Sequence, residues 1–184
     1  MLTRFRISSL FALLLLIGIP SAAQAQTTFA LGPRAGIGLG DAPADVPYLG
    51  ADVRVSTPAL PVQINPSIDY YFVDEADFFG QSVPDDVDAS ARLINLSVNA
   101  IYTIGIDNQA FTPYAGGGLS LTRTSVGGDD VPDQLESSDT DTALNLLGGA
   151  LFEVGGFTPF AQAHFTLGGD LDVFGITGGL LFEL

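Results

Sequence analysis

The sequence predicts an all-β chain, eight antiparallel strands wound up and down into one closed barrel. Three observations carry this. Apolar residues alternate with polar or small ones at a period of two through eight separate stretches. Short, nearly uncharged links alternate with longer acidic ones between them. The chain ends on a two-faced strand, and pairing the last strand with the first leaves no open edge. No 3.6-residue pattern follows residue 26, so no helix of note is expected in the mature protein.

The first residues stand apart. Arg4 and Arg6 form a basic start, Leu10 to Ile19 is an apolar run, and Ala23-Gln24-Ala25 fits a small-x-small cleavage site. Cleavage after Ala25 divides the chain into a signal peptide, residues 1–25, and one β-barrel domain, residues 26–184. The apolar run falls short of the roughly 20 residues a spanning helix needs. The exported chain is therefore either soluble or crosses a membrane as strands.

Composition narrows the function. Without cysteine there is no disulfide framework, thiolate metal site or lipid-anchored N-terminal Cys. A formal net charge of −15 and the absence of a basic patch leave no place for nucleic acid. Cofactors are not expected. The acids are segregated by segment: Asp41 and Asp45; Asp74 to Asp88; Asp129 to Asp141; and Asp170 with Asp172. Neither Asp85-Asp86-x-Asp88 nor Asp129-Asp130-x-x-Asp133 matches an EF-hand loop, and a solvated acidic surface is the expectation.

The elements follow in order. Strand one runs from Phe29 to Gly40, with Phe29, Leu31, Ala35, Ile37 and Leu39 opposite Arg34 and four glycines. Strand two, Tyr48 to Ser56, sets Leu49, Ala51, Val53 and Val55 against Asp52 and Arg54, and strand three sets Ile64, Ile68, Tyr70 and Phe72 against Asn65, Ser67 and Asp69. A long acidic loop, Val73 to about Ala89, leads to strand four, where Ile94, Leu96, Val98 and Tyr102 alternate with Asn95, Ser97 and Asn99, and Ile101 breaks the pattern. Strand five begins at Phe111 and reaches Thr124; a second acidic loop spans Val126 to Asp139. Strand six is less regular, since Leu147 and Leu151 share the face of Asn145 and Glu153. Gly155-Gly156 signals a tight hairpin into strand seven, Phe157 to Leu167, which places Gln162, His164 and Thr166 on its polar face. Strand eight, Val173 to Leu184, has Leu181 as its exception.

The polar face decides between a soluble and a membrane barrel. A wet face should be rich in Lys, Glu and Arg. Here it is mostly Gly, Ser, Thr, Asn and Gln, which suits a small lumen filled by side chains. With the short links taken as periplasmic, Phe29, Tyr102, Phe111, Phe152, Phe157 and Phe182 gather near that end of the apolar face, and Tyr70, Phe72 and Phe174 near the other. Two such bands match the interface girdles of a transmembrane barrel. Strands of about 9 to 11 residues match a tilted crossing. The fold class is thus all-β, an eight-stranded antiparallel up-and-down transmembrane β-barrel.

Thr177-x-Gly179-x-x-Phe182-x-Leu184 resembles the C-terminal assembly signal of bacterial outer-membrane barrels, with Leu184 where that family most often has Phe. Phe111-Thr112-Pro113-Tyr114-Ala115-Gly116 and Phe157-Thr158-Pro159-Phe160-Ala161 look like the strand openings of small eight-stranded outer-membrane β-barrel proteins, the opacity-like proteins and the transmembrane domain of outer-membrane protein A. The resemblance covers the whole mature chain. It implies a monomer in the cell outer membrane, in contact with outer-membrane lipid and lipopolysaccharide and inserted by the barrel assembly machinery. No C-terminal peptidoglycan-binding domain is expected, hence no cell-wall tether.

The candidate site is a lumen polar network. Arg34 and Arg54 are expected to pair with Asp52, Asp69, Glu153 and Glu183, because charge in a dry lumen needs partners. His164 is expected there as an uncharged hydrogen-bonding group. The leading reading is a non-enzymatic structural or surface-interaction barrel with acidic extracellular loops. Two alternatives stay open: a narrow porin-like channel through the small-residue lumen, and a lipid-modifying enzyme, since His164-x-Thr166 loosely resembles the His-x-Ser pair of such barrels.

Overall fold

The computed structural model describes residues 27–40, 46–73, 90–107, 110–127, 137–168 and 173–184. Residues 1–25, expected to be a signal peptide, and most of the residues of the expected acidic loops lie outside them. The strands are β1 (Thr28–Gly40), β2 (Val46–Ser56), β3 (Gln63–Tyr71), β4 (Ser90–Thr103), β5 (Phe111–Gly127), β6 (Ser137–Phe152), β7 (Thr158–Leu167) and β8 (Val173–Glu183), with no helix among the described residues. Each pairs antiparallel with its sequence neighbours, and β8 pairs with β1, from Ala30↔Glu183 to Gly40↔Val173, to close the barrel. Beyond that ladder the Leu184 N–H donates to the Phe29 carbonyl at 2.9 Å. Closure gives every strand two partners, which a chain in lipid requires.

The barrel is apolar outside and polar inside. Leu49, Leu119, Leu144, Leu146 and Ile176 are exposed, whereas Arg34, Asp52, Arg54, Asn65, Asp69, Asn99, Gln162 and Thr177 are buried. Period-two side-chain placement produces both faces from the same strands. Phe111 packs near Phe152 (6.5 Å between centroids) and Phe157 near Phe182 (6.3 Å) at the short-link end. At the other end Tyr70 meets Phe72 (5.3 Å) and Phe165 meets Phe174 (4.8 Å). At the short link after β6, Gly155 takes φ 77°, which a side chain would oppose.

The strands run from 9 to 17 residues, and the longest depart from the expected length. β5 and β6 stay paired past the outer aromatic band, through Thr122↔Asp141 and Thr124↔Asp139 to Val126↔Ser137. Asp139 and Asp141 therefore lie on a strand and not in a loop. Their neighbours explain it: Thr122, Thr124, Thr140 and Thr142 favour the extended backbone, so pairing continues beyond the apolar stretch.

Candidate functional site

The inward faces of β1, β2 and β3 bring four charges together. Arg34 of β1 reaches Asp52 of β2 (Nη1 to Oδ2, 3.3 Å) and Asp69 of β3 (Nη2 to Oδ2, 3.1 Å; Nε to Oδ1, 2.9 Å). Arg54 donates from Nε to Asp52 Oδ1 at 3.1 Å, and Asn65 donates to the same oxygen at 2.9 Å. Asp52, fully buried, thus accepts from three side chains. Two guanidiniums and two carboxylates sum to no formal charge, the condition under which ions tolerate a dry interior.

Arg54 extends the cluster across the barrel. Its guanidinium carbon lies 4.7 Å from the Tyr114 ring centroid and 4.8 Å from that of Phe160, so the cation sits against two aromatic rings. Nη2 donates to the Tyr114 hydroxyl at 3.3 Å, which donates to Gln162 Oε1 at 3.1 Å. Beside this lie the residues that broke the alternation. Ile101 and Leu147 are buried against Tyr114, with Leu151 packed on them. They form an apolar patch inside a polar lumen.

A second network runs from β3 round the wall to β7. Ser67 and Ser97 share a hydrogen bond of 2.6 Å, Asn145 donates to Asn99 Oδ1 at 3.2 Å, and Ser120 and Thr166 both donate to Asn145 Oδ1 at 3.2 Å. Fixed amide and hydroxyl pairs of this kind leave few lumen groups without a partner.

Two of the small cavities among the described residues share no lining residue. One of about 20 Å³, room for about one water, lies among Arg34, Asp69, Tyr71, Asn95, His164 and Thr166. The other, about 100 Å³, opens at the short-link end between Arg54, Gln63, Leu151, Thr158, Leu181 and Glu183. Arg54 lines the larger and Leu147 the smaller, and both pack against Tyr114.

Of the residues expected in the network, Arg34, Asp52, Arg54 and Asp69 meet. Glu153 does not join them: it lies beyond the last residue of β6 and is exposed. Glu183 is also exposed, at the mouth of the larger cavity and clear of the ion pairs. Both have lumen parity, but both sit at barrel ends, where water solvates a carboxylate. His164 stands edge-on to Tyr48 (6.5 Å between centroids), with Nδ1 making no hydrogen bond to any described group. Thr166 gives its hydroxyl proton to Asn145 and not to His164. Among the described residues no group of three or more His, Asp or Glu is placed to hold a metal ion. The C-terminal motif is divided by parity: Thr177 bonds Tyr48 inside, Gly179 makes room for the Phe160 ring, and Phe182 and Leu184 point outward. Sequence reading passed over Tyr48, Asn65, Asn99 and Gln162, although their lumen parity was visible.

A family model described as outer membrane protein beta-barrel domain matches residues 11–178. Three solved structures share the fold. The attachment invasion locus protein Ail of Yersinia pestis is 14% identical with TM-score 0.57, covering 86% of this chain and 97% of its own. Neisserial surface protein A (NspA) is 13% identical with TM-score 0.58 over the same shares. The N-terminal β-barrel domain of Pseudomonas aeruginosa OprF is 18% identical with TM-score 0.54, covering 85% of this chain and 100% of that domain. No curated protein matches the chain by sequence.

Proposed function

Because the chain belongs to the outer membrane protein beta-barrel domain family and resides in the outer membrane, we propose that it is a non-conducting, non-enzymatic barrel with a structural or surface-interaction role. The observation that carries this is the Arg54 guanidinium packed against Tyr114 and Phe160 inside the lumen, where two small cavities share no lining residue. Moving an ion through it would require breaking paired buried charges, which is costly. The acidic loops then face the environment as a solvated anionic surface. Residues 1–25 serve as the cleaved leader, Thr177, Gly179, Phe182 and Leu184 are read by the barrel assembly machinery, and the barrel works as a monomer in outer-membrane lipid beside lipopolysaccharide.

Single-channel recording of the refolded chain in a planar lipid bilayer tests this, with gel mobility before and after boiling to verify folding. A folded barrel should be silent. Discrete, reproducible conductance steps would establish the narrow channel instead.

A further inference from the structure

Past residue 25 the chain has four arginines and no lysine. Arg34 and Arg54 are engaged in the lumen with Asp52 and Asp69. The other two, Arg92 of β4 and Arg123 of β5, are exposed. The register puts them side by side: Arg123 pairs with Ile94, and Arg92, two residues nearer the long link, pairs with Ser125. Their parity is that of Leu96, Val98 and Leu119, exposed on the outer face, and opposite to that of the buried Leu93 and Ser120. Diagonal neighbours of this kind stand roughly 7–8 Å apart, within joint reach of long side chains.

Their height on the barrel is as definite as their face. Ile94 is also the partner of Tyr70 in the outer aromatic band, so Tyr70, Ile94 and Arg123 follow one another across β3, β4 and β5. Aromatic bands mark the membrane interface, and an arginine beside one carries its charge into the headgroup layer while its stem lies on apolar surface. Two guanidiniums on adjacent strands repel. Among the described residues no ion pair reaches either of them. Asp139 and Asp141 lie one residue to each side of Thr140, the partner of Arg123, and so have the opposite parity. The pair is favourable only with an anion laid across it.

We propose that Arg92 and Arg123 clamp one phosphate of an outer-leaflet lipid, the lipopolysaccharide beside the barrel. This rests on the proposed function, which puts the long-link end in that leaflet. Guanidinium groups hold phosphate oxygens through paired, charge-assisted hydrogen bonds. Thr140, exposed on β6 opposite Arg123, adds a hydroxyl to the same face. Charge favours a lipid over a soluble anion. The links at this end carry Asp85, Asp86, Asp129 and Asp130, which repel an anion arriving from water, whereas a lipid phosphate arrives along the sheet.

The full mature barrel, labelled with nitrogen-15 arginine and refolded in maltoside micelles, tests this by NMR. It gives one guanidinium signal for each of its four arginines, and R92Q and R123Q identify two of them. Lipid A, its fully dephosphorylated form and inorganic phosphate are titrated separately. With lipid A the Arg92 and Arg123 signals should move together and saturate, while those of Arg34 and Arg54 stay. The dephosphorylated lipid and inorganic phosphate at the same concentrations should move neither. R92Q and R123Q should each weaken lipid A binding by about tenfold, read from the surviving signal. Signals unmoved by lipid A, equal shifts with its dephosphorylated form, equal shifts with inorganic phosphate, or a single arginine that binds as tightly as the pair would each overturn the proposal. Heat-modifiable gel mobility verifies that every variant is folded. Conductance reports on the lumen alone, so a folded, silent barrel that ignores lipid A would overturn this inference and leave the proposed function standing.

Discussion

Tyr48 on β2 and Thr177 on β8 lie 129 residues apart, and their hydroxyls share a hydrogen bond inside the barrel. Gly36 of β1 is the register partner of both. Having no side chain, it lets the Tyr48 ring lie across β1; a Cβ there would strike the ring and the Ile176 carbonyl. The bond therefore ties the strands on either side of β1, next to the pairing that closes the barrel. Tyr48→Phe and Thr177→Val should each cost about 1 kcal/mol and be less than additive together, with a coupling of about 0.5 kcal/mol or more. Urea unfolding followed by gel mobility measures this.

Arg34 joins Asp52 and Asp69, so Arg34→Ala leaves two buried carboxylates short of a partner. Its expected cost is about 3–5 kcal/mol, read as a lower urea midpoint or, in the extreme, failure to refold. An unchanged midpoint would mean that water reaches the cluster.

Glu153→Ala and Glu183→Ala should both fall within about 0.5 kcal/mol of the parent. Each carboxylate is exposed at a barrel end, outside the ion pairs. A loss comparable with that of Arg34→Ala would place them in the network after all.

Gly148 and Gly149 are consecutive on β6 but face opposite ways. At Gly149 an added Cβ would lie 2.6 Å from the Tyr114 ring and hydroxyl and would collide with the Ala161 carbonyl; at Gly148 the nearest atom is 3.8 Å away. Gly149→Ala should lose about 1–3 kcal/mol, and Gly148→Ala should change little. Thermal unfolding of the two variants side by side checks the inward and outward assignment at single-residue resolution.

Parity along the chain was enough to read the barrel. Leu31, Leu49, Ile68, Leu119 and Ile176 alternate with Arg34, Asp52, Asp69 and Ser120 in a pattern only a two-faced strand satisfies. Strand ends were less legible where pairing outlasts the apolar stretch: Asp139 read as the end of a loop because acidity marks solvent, yet solvent does not break a ladder already supported by β5. Ile101, Leu147, Leu151 and Leu181 appeared as lapses of the alternation. Inside the barrel the first three pack with Tyr114, and Leu181 is buried beside the larger cavity.

By itself the sequence determined which face of each strand meets lipid and which meets the lumen, because side-chain direction has a period of two and needs no knowledge of neighbours. Only the tertiary structure decided which lumen groups meet. Height in a barrel depends on the register of every strand pair, and those offsets accumulate around the closed sheet. So Asp52 and Glu153, alike in parity, end in opposite circumstances, one holding two arginines and the other in water. Tyr48 and Thr177 meet across Gly36 for the same reason.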